Sequence, residues 1–329
     1  MANIIGYGTY LPYYRIKLEE IAKAWNRGGG RGEKTVPAPD EDVVTMGFKA
    51  AQRALAHAGV GVANVGAVYA CSLSSGYTEN SVAAQTAYAL GIAGNISCTD
   101  LGLSARVVTS ALQACVDAIA TKRIEYGLVI ASDALRAKPG SDAEMTGAAG
   151  AAAFVLAANN GIAEIFGFGS HTTGFIGRYS VEGDSPVLDD ERFVMKHGYL
   201  EHISRSAQAL ERSTKISSKE YERVVLQAPD LKWPARALAK LGLTPEKLIS
   251  IGAQVGYAGC ASFLMDLASA LEQAKSGEKI LAISFGPGGS DALALAVREH
   301  KKPIKPLSEQ IAEKEYVSYT TYLRYTQQL

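Results

Sequence analysis

The side chains of this chain that could act as nucleophiles, general bases or metal ligands are few and widely spaced. Its four cysteines lie among apolar residues and form no CxxC pair, and no two of its five histidines have metal-ligand spacing on a helix. These spacings predict reduced, buried thiols and no metal site. Cys260 is the candidate nucleophile, because it begins a predicted helix and a helix N-terminus favours a thiolate. The remaining cysteines are more typical of core packing: Cys71, Cys98 and Cys115.

Composition excludes several classes of function. Of the 329 residues, 47% are hydrophobic, which is enough for a large core. Acidic and basic residues are equal in number, so no global field exists to attract nucleic acid. The apolar stretches are too short to span a bilayer, and the N-terminus shows neither a basic region nor a cleavage site. We therefore expect a cytoplasmic protein that binds neither nucleic acid nor membrane.

The elements that must position any reactive group alternate between short apolar strands and amphipathic helices, which predicts an α/β fold. The strand-like runs occur in a similar order in two halves, residues 1–160 and 161–329, so an internal duplication is expected. In the first half the runs are VGAVYACS (65–72), ISCTDL (96–101), YGLVIAS (126–132) and AAFVLAA (152–158). In the second half they are YERVVLQA (221–228), LISIGA (248–253), KILAISF (279–285) and DALALAV (291–297).

Five blocks, in order along the whole chain, form a recognisable set. They are IIGYGTYLPYYRI near the N-terminus, VPAPDEDVVTMGFKAAQRAL (36–55), ASDALRAKPGSDAEMTGAAGAAAFVL (131–156), FGPGGSDALAL (285–295) and EYVSYTTYLRY (315–325). The set resembles the archaeal-type 3-hydroxy-3-methylglutaryl-CoA synthases of the thiolase and ketoacyl synthase III superfamily. The resemblance implies a thiolase-like, five-layered αβαβα fold, normally a tight dimer. It also implies acyl-enzyme chemistry that needs a Cys, a His, an Asn and a Glu.

Residues 100–115 read DLGLSARVVTSALQAC and resemble the family stretch DLEFACKAGTAALQAC, which holds the nucleophile. The register puts Ala105 at the position of the Cys, and a methyl group cannot carry an acyl chain. Ser104 is adjacent, but on a helix its side chain would turn away by about a quarter circle or more, and no base is evident to activate it. We interpret Ser104 mainly as a cap of the following helix. An active enzyme with Ser104 or Cys260 as a displaced nucleophile stays the alternative.

The other three catalytic positions of the family also hold different side chains. When the family stretch FHQPNGKFP is aligned with this chain, Gln227 occupies the position of the family's His. A Gln cannot exchange protons near neutral pH. Alignment with the family stretch GNTYSGAS places Val255 at the position of the family's Asn. Alignment with GSESHPYA places Leu73 at the position of the family's Glu. Losing the nucleophile alone would remove most activity, because the effects of replacing the members of one catalytic unit do not add. We therefore expect no catalytic residues here, and an acyl-CoA tunnel partly closed by Leu73 and Val255.

The resemblance implies a role in assembly for such a chain. Related synthase-like subunits accompany an active thiolase and a small zinc-ribbon and OB-fold subunit. We expect a non-catalytic subunit of an acyltransferase or thiolase complex, either a homodimer core or a heterodimer with the thiolase that supplies the Cys. No cofactor is expected. A further alternative is an acyl-CoA-binding scaffold that keeps a site for a CoA thioester, lined by Lys232, Gly286, Gly288, Gly289 and Ser290.

The C-terminal segment carries a candidate docking surface. Four tyrosines recur every three residues, so on a helix they would form one drifting aromatic stripe: Tyr316, Tyr319, Tyr322 and Tyr325. Aromatic side chains with polar tips suit interfaces with a partner. Packing of the stripe on the chain's own body is the favoured interpretation, with partner contact through whatever stays exposed.

Overall fold

The computed structural model describes residues 2–28, 30–77, 79–159, 161–180 and 187–329. Within these ranges the strands are β1 (Ala2–Tyr10), β2 (Tyr14–Lys17), β3 (Glu33–Val36), β4 (Val65–Cys71), β5 (Ser97–Leu101), β6 (Tyr126–Ala134), β7 (Ala149–Ala157), β8 (Ala163–Thr172), β9 (Arg178–Tyr179), β10 (Val187–Leu188), β11 (Arg223–Leu226), β12 (Lys279–Gly286), β13 (Gly289–Val297) and β14 (Glu315–Tyr316).

The α-helices are α1 (Leu18–Ala24), α2 (Val43–Ala58), α3 (Val82–Ala89), α4 (Val107–Ala120), α5 (Asp142–Thr146), α6 (Glu191–Phe193), α7 (Leu200–Thr214), α8 (Trp233–Lys240), α9 (Gly252–Val255), α10 (Gly259–Gln273), α11 (Leu307–Ala312) and α12 (Tyr319–Tyr325). They are accompanied by short 3-10 turns and by a π-helical segment between α6 and α7 (Val194–Tyr199). Local signals set the bounds of α2. Asp42 and Thr45 form a capping box at its start, and Gly59 ends it in the left-handed conformation, at φ 70°.

One mixed sheet contains nine of the strands, in the order β11-β12-β13-β8-β1-β7-β6-β4-β5. The order repeats outward from the junction of β1 with β8. The first half runs β1, β7, β6, β4 and β5, and the second runs β8, β13, β12 and β11, followed by a single parallel bridge from Val224 to Leu248. The predicted strand at 248–253 is therefore wrong in extent, because only Leu248 pairs and its last two residues begin α9.

Three apolar clusters sort the helices into layers. Helices α2 and α3 cover the outer face of the first half, where Met46 is fully buried. Helices α7 and α8 cover the outer face of the second half, around Ile203. Helices α4 and α10 lie between the halves in the largest cluster, with Leu112 and Leu267 buried. Outer helices, the strands of the first half, central helices, the strands of the second half and outer helices follow one another as layers, so the predicted thiolase-like αβαβα fold is confirmed.

A small lobe contains segments from both ends of the chain. Strands β14, β2 and β3 form its sheet, and α1 and α12 pack on it around Ile16 and Tyr322. Thr35 on β3 ties the lobe to the body, because its hydroxyl donates hydrogen bonds to the carbonyl oxygens of Ala149 and Val255. The division of the chain after residue 160 stays a prediction, and residue 160 itself lies outside the described ranges.

Candidate functional site

The entrance to the central helix α4 carries a methyl group. The chain leaves β5 at Leu101, passes through the exposed Leu103 at φ 69°, and reaches Ala105, which is 1% exposed. Ser104 points to the second half of the chain, and its hydroxyl donates to the carbonyl of Pro287 at 2.9 Å. The predicted helix-capping role of Ser104 is wrong in detail, because this contact joins α4 to the turn before β13.

The first turn of α4 is fixed to β13 by a half-buried ion pair. The Arg106 guanidinium lies 3.2 Å from Asp291 Oδ1, and Thr109 donates to Asp291 Oδ2 at 2.9 Å. Gly286 comes so close to the same turn that an added Cβ would lie 2.4 Å from Ser104 Oγ. The backbone at the mouth of α4 is therefore enclosed on its second-half side, which limits the room beside Ala105.

The thiol of Cys260 lies near this point. It lies in the first turn of α10 with its Sγ 4.0 Å from the carbonyl oxygen of Ser104, and it is fully buried. Burial first, and then the nearby Asp133 carboxylate, raise the pKa of the Cys260 thiol well above its ordinary value. The helix N-terminus therefore does not make a thiolate here, and the sulfur stays protonated at neutral pH.

Asp133 at the end of β6 organises the surrounding loops, a role that the sequence analysis missed. Its Oδ2 accepts from the Cys260 amide at 2.7 Å. Its Oδ1 accepts from the Leu73 amide and the Ser74 hydroxyl, each at 2.7 Å, and from the Ser72 hydroxyl at 3.0 Å. Burial raises the pKa of Asp133 to about 6, although these hydrogen bonds oppose the shift. At neutral pH the carboxylate joins the first-half loop to the start of α10.

The positions predicted for the family's His, Asn and Glu lie around the same region. The amide of Gln227 is buried and bonded to backbone at both ends, because its Nε2 donates to the Gly259 carbonyl at 2.7 Å and its Oε1 accepts from the Phe285 amide at 3.3 Å. Val255 is buried at the end of α9, and Leu73 packs against the same central cluster. Neither hydrocarbon side chain can donate a hydrogen bond or carry a proton.

The residues predicted to line a CoA thioester site are only partly brought together. Gly288 and Gly289 make the turn into β13 at φ 87° and 142°, which favours glycine. The Ser290 hydroxyl is buried and donates to the His202 carbonyl at 2.6 Å, so it serves the packing of α7. Lys232 is exposed at the start of α8, and no hydrogen bond or ion pair connects its side chain to the turn within the described ranges.

Two cavities are lined by residues of the second half of the chain. One lies between β11, α9 and α10 beside Gly256 and Tyr257, and its volume of about 20 Å³ leaves room for roughly one water. The other measures about 490 Å³, and its wall contains three basic side chains, those of Arg192, Lys196 and Arg236, and one acidic side chain, that of Glu191. Neither Leu73 nor Val255 lines the first cavity, so the closing of an acyl-CoA tunnel by these two side chains stays a prediction.

Two of the four C-terminal tyrosines are fixed on the chain's own body by polar contacts. Tyr322 is 4% exposed, and its hydroxyl lies 3.1 Å from the Lys34 ammonium, which also lies 4.5 Å from the centre of its ring. Tyr319 donates to Glu144 Oε1 at 2.9 Å and accepts from the Trp25 indole at 2.6 Å. Burial lowers the pKa of Lys34 to about 7.

The other two tyrosines differ from each other. Tyr325 packs edge-on against Tyr14, at 5.3 Å between ring centres. Tyr316 belongs to β14 and not to α12, so the predicted single helical stripe is wrong for this residue. Its ring is 47% exposed, although its hydroxyl donates to Glu33 Oε2 at 2.6 Å. Self-packing thus accounts for Tyr319, Tyr322 and Tyr325, and partner contact stays a prediction for Tyr316.

Within the described residues, no group of three His, Cys, Asp or Glu side chains is arranged to hold a metal ion. In the same part of the chain, no helix combines the length and the apolar character needed to cross a bilayer.

Comparison with known proteins identifies first the class of fold. Residues 210–297 match the family model described as 3-oxoacyl-[acyl-carrier-protein (ACP)] synthase III C terminal. A solved HMG-CoA synthase complexed with CoA superposes with a TM-score of 0.87 at 17% identity, over 98% of this chain and 89% of that one. The 3-oxoacyl-[acyl-carrier-protein] synthase III of Aquifex aeolicus VF5 does so with a TM-score of 0.78 at 19% identity, over 90% of this chain and 100% of that one. The fold is therefore that of the thiolase-like synthases.

Sequence relatives define the family more closely. The hydroxymethylglutaryl-CoA synthase of Methanosphaera stadtmanae is 34% identical over 341 residues, which cover 99% of this chain and 98% of that protein. The synthase of Methanopyrus kandleri is 33% identical over 341 residues, with 99% and 97% covered. That of Methanocaldococcus jannaschii is 33% identical over 344 residues, with 100% and 99% covered. The chain belongs to the hydroxymethylglutaryl-CoA synthase family.

Proposed function

We propose that this member of the family carries no acyl group on its own side chains and serves as the non-catalytic subunit of a heteromeric acyltransferase or thiolase complex. The observation that carries the proposal is Ala105, a buried methyl group at the mouth of the central helix α4. Acyl-enzyme chemistry needs a nucleophile there that a base or a helix dipole activates. The partner thiolase would supply that Cys.

The surroundings of Ala105 support the proposal. The Gln227 amide is bonded to backbone groups at both ends, and a Gln cannot exchange protons near neutral pH as a His does. Val255 and Leu73 present only hydrocarbon, and oxyanion stabilisation needs donors aimed at the developing charge. The expected partners of such a subunit are a second copy or a thiolase, together with a small zinc-ribbon and OB-fold protein. The assembly and a cytoplasmic location remain predictions.

An active enzyme that uses Ser104 or Cys260 as a displaced nucleophile is the second candidate. The comparisons favour this candidate over the first, because the relatives that cover the full chain are named as synthases. The local geometry opposes it. The Ser104 hydroxyl is engaged with a carbonyl that cannot serve as a base, and burial keeps the Cys260 sulfur protonated.

Acyl transfer to the isolated chain distinguishes the two candidates. The purified protein is incubated with acetyl-CoA, quenched in acid and weighed intact, alongside Ser104→Ala and Cys260→Ala variants. The non-catalytic role predicts that each of the three proteins keeps the mass calculated from its own sequence. An adduct on the native chain that one of the two variants abolishes would establish the enzyme and identify its nucleophile.

Binding of a CoA thioester without turnover is a separate property of the scaffold alternative. The cavity lined by Arg192, Lys196 and Arg236 has an excess of positive charge over its one acid, Glu191, which suits the phosphates of such a ligand, and Lys232 lies exposed directly before the helix that carries Arg236. Calorimetric titration with CoA measures it directly. An Arg236→Ala variant that loses the binding heat would support the scaffold, and an absent heat in the native chain would exclude it.

A further inference from the structure

Leu231 lies at the opening of the narrow cavity between β11, α9 and α10. Its side chain lines this cavity from the turn that leads into α8, and it is 39% exposed, so it stands between the cavity and solvent. An added Cβ on Gly252, in the opposite wall, would lie 2.6 Å from Leu231 Cδ2. This methyl group therefore packs directly on the Gly252 backbone and joins the two walls across the opening.

Hydrogen bonds fix both walls of the cavity. The Asp230 carboxylate accepts from the Lys232 amide at 2.7 Å, which holds the turn that carries Leu231. On the other side, the Asp266 carboxylate accepts from the Ile251 amide at 2.8 Å, which holds the start of α9. Because the backbone of both walls is held, the side chain of Leu231 decides how much of the space between them stays open.

The two walls are the segments that carry two of the family's catalytic positions. Gln227 lies between Leu226 and Ala228, both of which line the cavity. In the other wall, Val255 directly precedes Gly256, which also lines the cavity. The cavity therefore lies between the solvent and the candidate site.

The sequence contains a signal of the same closure. When the family stretch FHQPNGKFP is aligned so that Gln227 takes the position of its His, its sixth residue is Gly, and this chain has Leu231 there. A Gly has no side chain, so that turn in the family stretch cannot place a methyl group on the opposite wall. Lys232 and Pro234 match the stretch, so the change is confined to the residue at the opening.

The lining of the cavity suits a slender, neutral chain that contains amide groups. Leu226, Ala228 and Met265 supply apolar surface. The Ser262 oxygen accepts from the Ala258 amide at 2.8 Å, and its O–H is a donor for a carbonyl group of a ligand. Apolar walls with a few placed polar groups are typical of small-molecule sites. A pantetheine arm, which is aliphatic and interrupted by amides, has this chemistry.

We propose that Leu231 is an exclusion residue, which closes this cleft to a pantetheine-type arm. The remaining cavity of about 20 Å³ holds roughly one water and no such chain. The inference deepens the proposed function, because Leu231 removes a route for a substrate where Ala105 removes the nucleophile. Its test measures binding and not acylation, so the failure of one proposal is distinguishable from the failure of the other.

The test is binding of N-acetylcysteamine, the thiol end of a pantetheine arm, to the full chain, followed by saturation-transfer NMR. We expect Leu231→Ala to bind this probe at least about tenfold more tightly than the native chain, because the opened cleft removes apolar surface of the probe from water. Adding Gly252→Ala to this variant should restore the native behaviour. The new Cβ takes the place of Leu231 Cδ2 and lies 3.4 Å from Ser250 Oγ, an ordinary contact.

A matched control is Ile304→Ala, which truncates an aliphatic side chain that is 59% exposed and does not line the cavity. This variant should bind the probe as the native chain does. Equal binding by the native chain and Leu231→Ala, including no binding by either, would overturn the proposal, and so would binding that survives the addition of Gly252→Ala. If Leu231→Ala does not fold, Leu231→Val provides the same test, with a smaller gain in affinity expected and no gain counting against the exclusion.

Discussion

Replacement of Lys34 by Met tests the energetics of the junction between the small lobe and the body. Lys34 is fully buried on β3, and its ammonium donates to the Glu144 carbonyl and to the Tyr322 hydroxyl. Burial lowers its pKa from 10.5 to about 7. The unfolded chain therefore binds more protons than the folded chain between these two values, and stability rises with pH across this window.

The magnitude follows from the shift. At pH 7 the buried ammonium costs about 4 kcal/mol relative to an uncharged side chain, and at pH 9.5 it costs about 1 kcal/mol, since one pKa unit corresponds to about 1.4 kcal/mol. Met removes this cost but leaves the Tyr322 hydroxyl without its partner, a loss of about 1–3 kcal/mol. Lys34→Met should therefore raise the free energy of unfolding by about 1–3 kcal/mol at pH 7. At pH 9.5 the change in that free energy should be less favourable by about 3 kcal/mol.

Urea unfolding at the two pH values measures this difference. The Trp25 indole donates to Tyr319 on α12, so its fluorescence reports the small lobe. A Trp233→Phe background leaves Trp25 as the only tryptophan, because the sequence contains two. Lys240→Met, at the exposed end of α8, is the matched control and should shift the free energy by less than about 0.5 kcal/mol. An effect of Lys34→Met that is equal at pH 7 and pH 9.5 would refute the reasoning.

Three further substitutions examine the candidate site and the C-terminal segment. Asp133→Ala leaves the amide of Cys260 and the loop at Leu73 without their acceptor, so the free energy of unfolding should fall by about 3–5 kcal/mol. Cys260 should also react faster with a thiol reagent. Unchanged reactivity would show that the carboxylate does not hold α10. Tyr322→Ala should lower the unfolding free energy by about 3–5 kcal/mol and Tyr316→Ala by less than about 1 kcal/mol, measured by chemical denaturation. Equal costs for the two tyrosines would contradict their different burial.

The fold followed from the sequence because its signals are local and repeated. Strand-like runs at 65–72 and 126–132 correspond to β4 and β6, and the repeated order of runs corresponds to the repeated strand order in the sheet. The failure at 248–253 has a physical cause. The run is apolar enough for a strand, but Ile251 begins the turn into α9, and the carboxylate of Asp266 accepts its amide hydrogen in place of a neighbouring strand.

The contacts of the candidate site were less predictable, because they join residues that are far apart in the chain. The Ser104 hydroxyl meets Pro287 from the other half, and Asp133 joins Leu73 to Cys260. Neither contact leaves a pattern in local spacing. Asp266 could have been found from the sequence, because it is an acid among the apolar residues of a helix. Acids are rarely buried without a paired charge, so such a position is unusual.

Acylation of the isolated chain tests the central claim most directly. The native protein and the synthase of Methanosphaera stadtmanae, as the positive control, are mixed with acetyl-CoA, quenched in acid within seconds and digested for peptide mass analysis. Our account predicts no acetyl group on any peptide of this chain, including those that contain Ala105, Ser104 and Cys260. An acid-stable acetyl adduct on any side chain, formed without another protein present, would contradict it.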